Sequence, residues 1–147
     1  MKILLTGGAG YIGSHASLAL LEARHQVTII DDLSTGNKKL IPSDATFVEC
    51  NINDTAIVSA LLQKEKFDAL IHFAGFIEVE ESVRNPKKYF DNNTENAKIL
   101  FDTCIQNNLT NIIFSSTAAV YGNPLDADPI TETAILKPLN PYGESKI

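Results

Sequence analysis

Lys2-Ile3-Leu4-Leu5-Thr6-Gly7-Gly8-Ala9-Gly10-Tyr11-Ile12-Gly13 is the stretch that decides the fold. Lys2 to Thr6 is short and mostly apolar, as a buried strand is. Ile12, Ala16, Ala19, Leu20 and Ala23 then recur at helical spacing, so a helix starts directly after the glycines. Gly8, Gly10 and Gly13 satisfy G-x-G-x-x-G, and Gly7, Gly10 and Gly13 satisfy an overlapping G-x-x-G-x-x-G. In either register glycine permits a tight turn and lets a diphosphate approach the amide N–H groups at the helix N-terminus. A glycine motif alone equally marks a flexible turn. The strand before it and the helix after it argue for a dinucleotide site.

The rest of the chain repeats this alternation. Val27 to Asp31, Thr46 to Glu49, Ala69 to Phe73 and Asn111 to Ser115 read as further strands. Asp54 is placed to cap a helix whose apolar face includes Ile57, Ala60 and Leu61. Pro86 opens a long helix with Ala97, Leu100, Phe101, Cys104 and Ile105 on one face. Apolar strands alternating with helices predict an α/β fold, a Rossmann-like doubly wound parallel sheet. Right-handed crossovers predict the strand order 3-2-1-4-5. Gly122 to Pro141 holds Pro124, Pro129, Pro138 and Pro141 and reads as a long ordered loop, of a length that usually serves function.

Bulk properties exclude several classes. At 147 residues the chain is sized for one domain, read as residues 1–147. A net charge of −6 argues against binding a nucleic-acid backbone. Met1 to Leu5 begins like a signal peptide, but Thr6-Gly7-Gly8 ends the apolar run too soon, and no stretch suits a membrane span. Cys50 and Cys104 lack CxxC pairing and read as reduced thiols. The expectation is a cytoplasmic protein. His15, His25 and His72 do not cluster, so no metal is expected; His72, inside a strand, reads as a core histidine.

Asp31 ends the second strand, where a carboxylate accepts hydrogen bonds from adenosine ribose hydroxyls and repels a 2′-phosphate. Asp32 adds a second negative charge, which selects NAD over NADP. Lys38 and Lys39 lie beyond Gly36 and read as a solvated loop. Tyr142-Gly143-Glu144-Ser145-Lys146 is a Y-x-x-x-K motif, with Asn140 as N-cap and Pro141 at the first helical position. Residues i and i+4 share a helical face. An ammonium beside a phenol favours the phenolate, which makes Tyr142 a usable general base near neutral pH. A Y-x-x-x-K pattern also occurs as a plain helix with an exposed lysine. Ser115-Ser116-Thr117 closes the fifth strand, and ligands of doubly wound folds bind at the carboxyl ends of strands. A hydroxyl there can bond a substrate oxygen while tyrosine takes its proton; the plain alternative is a serine/threonine turn.

With these motifs in this order, the chain resembles the extended short-chain dehydrogenase/reductase family, and within it the branch that epimerises UDP-glucose and UDP-galactose at C4. The resemblance rests on GGAGYIGSH (Gly7 to His15), DDLSTG (Asp31 to Gly36), IHFAG (Ile71 to Gly75), YFDNN (Tyr89 to Asn93), FSSTAAVYG (Phe114 to Gly122) and NPYGESK (Asn140 to Lys146). It implies NAD as cofactor and a UDP-hexose as substrate. By resemblance, Gly7, Gly10, Tyr11, Ile12 and Gly13 would lie along the pyrophosphate. Asp31, Asp32, Leu33, Ser34, Thr35 and Gly36 would surround the adenosine ribose. Asn51 and Ile52 would flank the adenine, while Phe73, Ala74, Gly75 and Asn92 would hold the cofactor. Tyr142 would take the proton of the 4′-hydroxyl, Thr117 would hydrogen-bond that oxygen, and Lys146 would bind the nicotinamide ribose. The 4-keto sugar would then turn over and take the hydride back on its other face.

The chain departs from the family at two positions: members often carry Asp at Asn51, and some epimerases Lys at Ile77. Glu78, Glu80 and Glu81 read as an acidic loop, with the first two solvated. Related 4,6-dehydratases place Asp-Glu after the strand-end threonine as an acid for elimination; Ala118 and Ala119 stand there, which favours epimerase chemistry. The resemblance also implies later strands and a sugar-binding domain beyond Lys146, so the sheet is expected to be truncated before them. An isolated chain of this extent is then expected to bind NAD without turnover. It is also expected to form a homodimer or otherwise self-associate through the exposed edge of strand five or the long helix after Pro86.

Overall fold

The computed structural model describes residues 1–123 and 129–147. Of the proline-rich loop, residues 124–128, including Pro124, lie outside the described residues. The chain divides into two compact units, Met1–Ala74 with Asn96–Ser115, and Gly75–Glu95 with Ser116–Ile147.

The first unit holds a five-stranded parallel sheet: β1 (Lys2–Thr6), β2 (Gln26–Asp31), β3 (Thr46–Glu49), β4 (Ala69–His72) and β5 (Ile112–Phe114). Their order is β3-β2-β1-β4-β5, the doubly wound arrangement read from the sequence. Helices α1 (Tyr11–Glu22) and α2 (Thr55–Lys64) follow β1 and β3. Successive strand residues face opposite sides. Leu4, Ile30 and Leu70 therefore join Val58, Leu62, Leu100 and Cys104 in one core, while Leu5, Val27 and Ile29 build another under Ala16, Leu20 and Leu21.

The inward helical faces differ from those expected. Ile12 is 61% exposed, and Ala19 and Ala23 are exposed; α1 buries Gly13, Ser14 and Ser17 instead. Small residues let the helix approach the sheet closely, and Ser17 Oγ returns its proton to Gly13 O at 2.8 Å. In α2 the buried positions are Val58 and Leu62, while Ile57 and Ala60 face out. Asp54 caps this helix as expected, accepting from Ile57 N at 3.1 Å.

The second unit contains α3 (Val79–Arg84), α4 (Pro86–Tyr89), a π-helical segment (Phe90–Glu95), a 3₁₀ turn (Ala118–Tyr121) and, after α5 (Asn96–Gln106) of the first unit, α6 (Pro141–Glu144). The acidic stretch read as a loop is thus mostly the helix α3. The helix expected from Pro86 is a short α-turn, a π segment and α5, because periodicity does not reveal the extra residue that π geometry inserts. Ile105, placed on the buried face by spacing, is 54% exposed. Among the described residues no helix is long and apolar enough to cross a membrane, and no group of His, Cys, Asp and Glu is arranged to hold a metal.

Candidate active site

In the first unit the glycine turn is shaped by its own backbone. Gly7 has φ +75°, and a Cβ there would lie 2.5 Å from Ala74 N. A Cβ on Gly13 would overlap the Gly7 carbonyl oxygen. Gly10 differs: a Cβ there would meet only Gly7 O, at 3.3 Å. Position 10 is thus the least crowded of these three glycines, its one neighbour being a backbone oxygen at a tight distance. Gly10 is the N-cap of α1 without a side-chain cap, so no side chain covers the first-turn amides. Tyr11 and Ile12 stand exposed on that turn.

Asp31 is 9% exposed and ties this turn to the end of β2. Its Oδ2 accepts from Ala9 N at 2.9 Å and its Oδ1 from Leu33 N at 2.9 Å. Each oxygen retains a lone pair for a further donor. Leu33 adopts φ +58°, and Gly36 fits against Ala9, where a Cβ would come within 2.7 Å of the alanine Cβ. Asp32 is exposed and held by Ser34 N at 2.9 Å and by Asn51 Nδ2 at 2.8 Å, while Thr35 points to solvent. Ile52 is 6% exposed, its side chain part of the core. Phe73 N donates to Thr6 O at 3.1 Å. His72 is buried as expected, with Nδ1 at 2.6 Å from Thr6 Oγ1 and its ring packed by Phe101 and Phe114. Both cysteines are free thiols, and burial pushes each up to about 11.

The second unit carries Thr117, Tyr142 and Lys146. Asn140 Oδ1 caps α6 by accepting from Gly143 N at 2.8 Å, and Pro141 occupies its first turn. The helix ends at Glu144, and Lys146 sits in the following turn, its N–H bonded to Gly143 O at 3.2 Å, rather than on the helix itself. Lys146 is only 4% exposed. Gly75 leaves room for its ammonium: a Cβ on Gly75 would lie 2.9 Å from Lys146 Nζ and 3.1 Å from Asn93 Oδ1. Burial lowers the lysine to about 8. Thr117 Oγ1 accepts from Ala119 N at 3.2 Å as N-cap of the 3₁₀ turn, leaving the hydroxyl proton to donate elsewhere.

Four positioning residues were not anticipated. Buried Asn93 accepts from Phe76 N at 2.8 Å and Asn92 Nδ2 at 3.0 Å, and donates to Phe76 O at 2.9 Å and Ser145 Oγ at 3.0 Å. Ser145 Oγ in turn donates to Tyr142 O at 2.8 Å. Thr94 Oγ1 donates to Ser145 O at 3.1 Å, and Ser116 Oγ to Lys146 O at 2.8 Å. The asparagine pair in YFDNN was the available signal; Phe76 lies 17 positions from Asn93 and Ser145 lies 52 positions from it, so neither leaves a local pattern.

A five-stranded parallel doubly wound sheet with an uncapped glycine turn after its first strand defines a Rossmann-like fold. The chain belongs to the NAD dependent epimerase/dehydratase family, which it matches over residues 3–147, and NAD is the cofactor of that family. It is 46% identical to the UDP-glucose 4-epimerase of Corynebacterium glutamicum over 147 residues, all of this chain and 44% of that protein. It superposes with TM-score 0.93 on the UDP-Glc/GlcNAc 4-epimerase of Campylobacter jejuni, at 47% identity over 99% of this chain and 45% of that one. With the UDP-glucose 4-epimerase of Brucella ovis, solved in complex with NAD, the TM-score is 0.94 at 39% identity over 99% and 44% of the two chains. The chain therefore spans less than half the length of these relatives.

Proposed function

We propose that residues 1–147 form the cofactor-binding domain of an NAD-dependent epimerase that inverts C4 of a UDP-hexose, UDP-glucose and UDP-galactose foremost. The single observation that carries this reading is the ammonium of Lys146, buried behind Gly75 and four residues past Tyr142. Desolvating a lysine is costly, and such residues cluster at functional sites.

The glycine turn fits a dinucleotide, because the open side of Gly10 and the uncapped first turn of α1 suit an anion. Gly7, Gly10, Tyr11, Ile12 and Gly13 would hold the diphosphate, Asp31 to Gly36 the adenosine ribose, and Asn51 with the Ile52 backbone the adenine. Phe73, Ala74, Gly75 and Asn92 would line the remainder. When bound, NAD supplies a reversible hydride acceptor. Tyr142 takes the proton of the sugar 4′-hydroxyl, and Thr117 donates a hydrogen bond to that oxygen. Lys146 binds the nicotinamide ribose and lends positive charge to the phenolate. Proton return from Tyr142 to the 4-keto oxygen, after the sugar has presented its other face, completes inversion. Ala118 and Ala119 provide no acid for elimination, which favours this chemistry over dehydration.

For the 147 residues alone we propose NAD binding without turnover, epimerisation needing the sugar-binding part as well. Assembly would use the outer strand β5, where Ile113 is 59% exposed, or the surface of α5 carrying Ile99 and Ile105. The test is calorimetric titration of the chain with NAD and with NADP, alongside conversion of UDP-glucose to UDP-galactose by the protein that carries it. Absence of NAD binding by the folded chain would sink the reading.

A further inference from the structure

Tyr89, Glu81 and Lys88 form a cluster that the proposed chemistry leaves unused. Tyr89, the last residue of α4, is wholly buried. Its hydroxyl donates to Glu81 Oε2 at 3.0 Å, and Glu81 Oε1 accepts from Lys88 Nζ at 2.6 Å. Lys88 Nζ also lies 4.3 Å from the centroid of the Phe76 ring, a cation–π arrangement. The Tyr89 ring is 5.9 Å from that of Phe76 and meets the ring of Tyr142 edge-on, at 6.5 Å and 82°. Such T-shaped contacts restrict both ring planes.

Each member is held in one state. Burial and the Glu81 bond push the Tyr89 phenol up to about 12, so it remains a neutral donor. Hydrogen bonds from Lys88 and Tyr89 hold the Glu81 carboxyl below its ordinary range, so it remains charged. Helices α3 and α4 and the 3₁₀ turn all pack against α6. Their titratable groups are Glu78, Glu80, Glu81 and Arg84 on or beside α3, Lys87, Lys88 and Tyr89 on α4, and Tyr121 on the turn, with Glu144 and Lys146 from α6 and its turn. Glu80 pairs with Arg84 at 3.8 Å and Lys87 with Asp91 on the exposed surface. Glu81 and Lys88 are the charges joined to the aromatic cluster itself.

We propose that the Glu81–Lys88 ion pair, acting through Tyr89, is a positioning device for Tyr142: it locks the ring against which the phenol rests and keeps the charge beside it balanced. The inference rests on Tyr142 being the reacting phenol. Glu81→Gln leaves the Lys88 ammonium uncompensated, which favours phenolate; Lys88→Met leaves the Glu81 carboxylate, which disfavours it.

The test is tyrosinate absorbance against pH, with Tyr142 isolated as the difference between each background and the same background carrying Tyr142→Phe. In Glu81→Gln that signal is expected to develop at lower pH than in the unaltered protein, and in Lys88→Met at higher pH. Each shift is expected on the order of half a pH unit. Lys88→Arg is expected to restore the original titration. Opposite shifts support the proposal, since a merely structural role would not produce them. Shifts of one sign, or none, in variants with the unaltered circular dichroism spectrum overturn it; Glu81→Met and Lys88→Gln serve as the second pair should the first fail to fold. Epimerisation unimpaired by Tyr142→Phe in the NAD-loaded protein would instead remove the catalytic role of Tyr142, a separate failure.

Discussion

The buried amide of Asn93 donates to the Ser145 hydroxyl at 3.0 Å, and that hydroxyl donates onward to the carbonyl oxygen of Tyr142 at 2.8 Å. The same amide grips both the N–H and the C=O of Phe76, so one side chain ties the segment after β4 to the turn bearing Tyr142 and Lys146. Asn93→Ala removes four hydrogen bonds from a dry environment. It is expected to lower stability by about 2–4 kcal/mol, at roughly 1 kcal/mol per bond, in urea denaturation followed by circular dichroism. A loss under about 1 kcal/mol would show that this network is slack.

The glycines of the first turn are expected to separate stability from binding. Gly10→Ala should lower the melting temperature less than Gly13→Ala, because its Cβ meets a single backbone atom at a tight 3.3 Å rather than overlapping one, while NAD affinity measured by calorimetry falls about tenfold or more. Gly13→Ala should fold poorly, its Cβ overlapping the Gly7 carbonyl. Equal effects of the two changes on melting would contradict this division.

Gly75→Ala sets a methyl group 2.9 Å from Lys146 Nζ. The ammonium, the far end of a flexible side chain, is expected to be displaced, and Asn93 Oδ1, 3.1 Å from the new methyl group, must shift as well, at some cost in stability. Turnover of the NAD-loaded protein should drop more than tenfold while its melting point moves by only a few degrees.

Lys146 makes a signed prediction about pH. Burial lowers it to about 8 from the ordinary 10.5, so its charged form is penalised in the native state. The penalty is complete below pH 8, where folded and unfolded chains are both protonated. It is relieved as pH rises from 8 to 10.5, where the unfolded chain binds the additional proton. Lys146→Met should therefore be relieved of this penalty at pH 7, and its stability relative to the unaltered protein should fall as pH rises from 8 to 10.5. The comparison is between the two proteins at each pH, because Cys50, Cys104 and Tyr89, all raised, cost both of them stability as pH climbs above 9.

Asp31→Ala should cost both stability and NAD affinity, since Ala9 N–H loses a buried acceptor. Asp32→Ala, at an exposed position, should mainly narrow the preference for NAD over NADP. Titrating both variants with the two dinucleotides separates these effects.

Strand order was legible because it follows from handedness and from runs such as Lys2 to Thr6 that are apolar on both faces. The inward face of α1 was not, because Gly13, Ser14 and Ser17 pack by being small, a property that hydrophobic spacing ignores. The candidate site divided along similar lines. Asp31, Tyr142 and Lys146 announce themselves by residue type at a fixed interval. Asn93 and Ser145 act through partners distant in the chain, and Lys146 stands just beyond α6 because its N–H bonds three residues back rather than four.

In the π-helical segment at Phe90–Glu95 chain length matters alongside the side chain of Asn93. Deleting one residue there would regularise the coil and rotate the residues on its C-terminal side by about 100°. Asn92 and Asn93 would fall out of phase with Phe76 and Ser145 even with every other side chain intact. Insertions and deletions in these six residues are thus lesions that a scan of single substitutions does not sample.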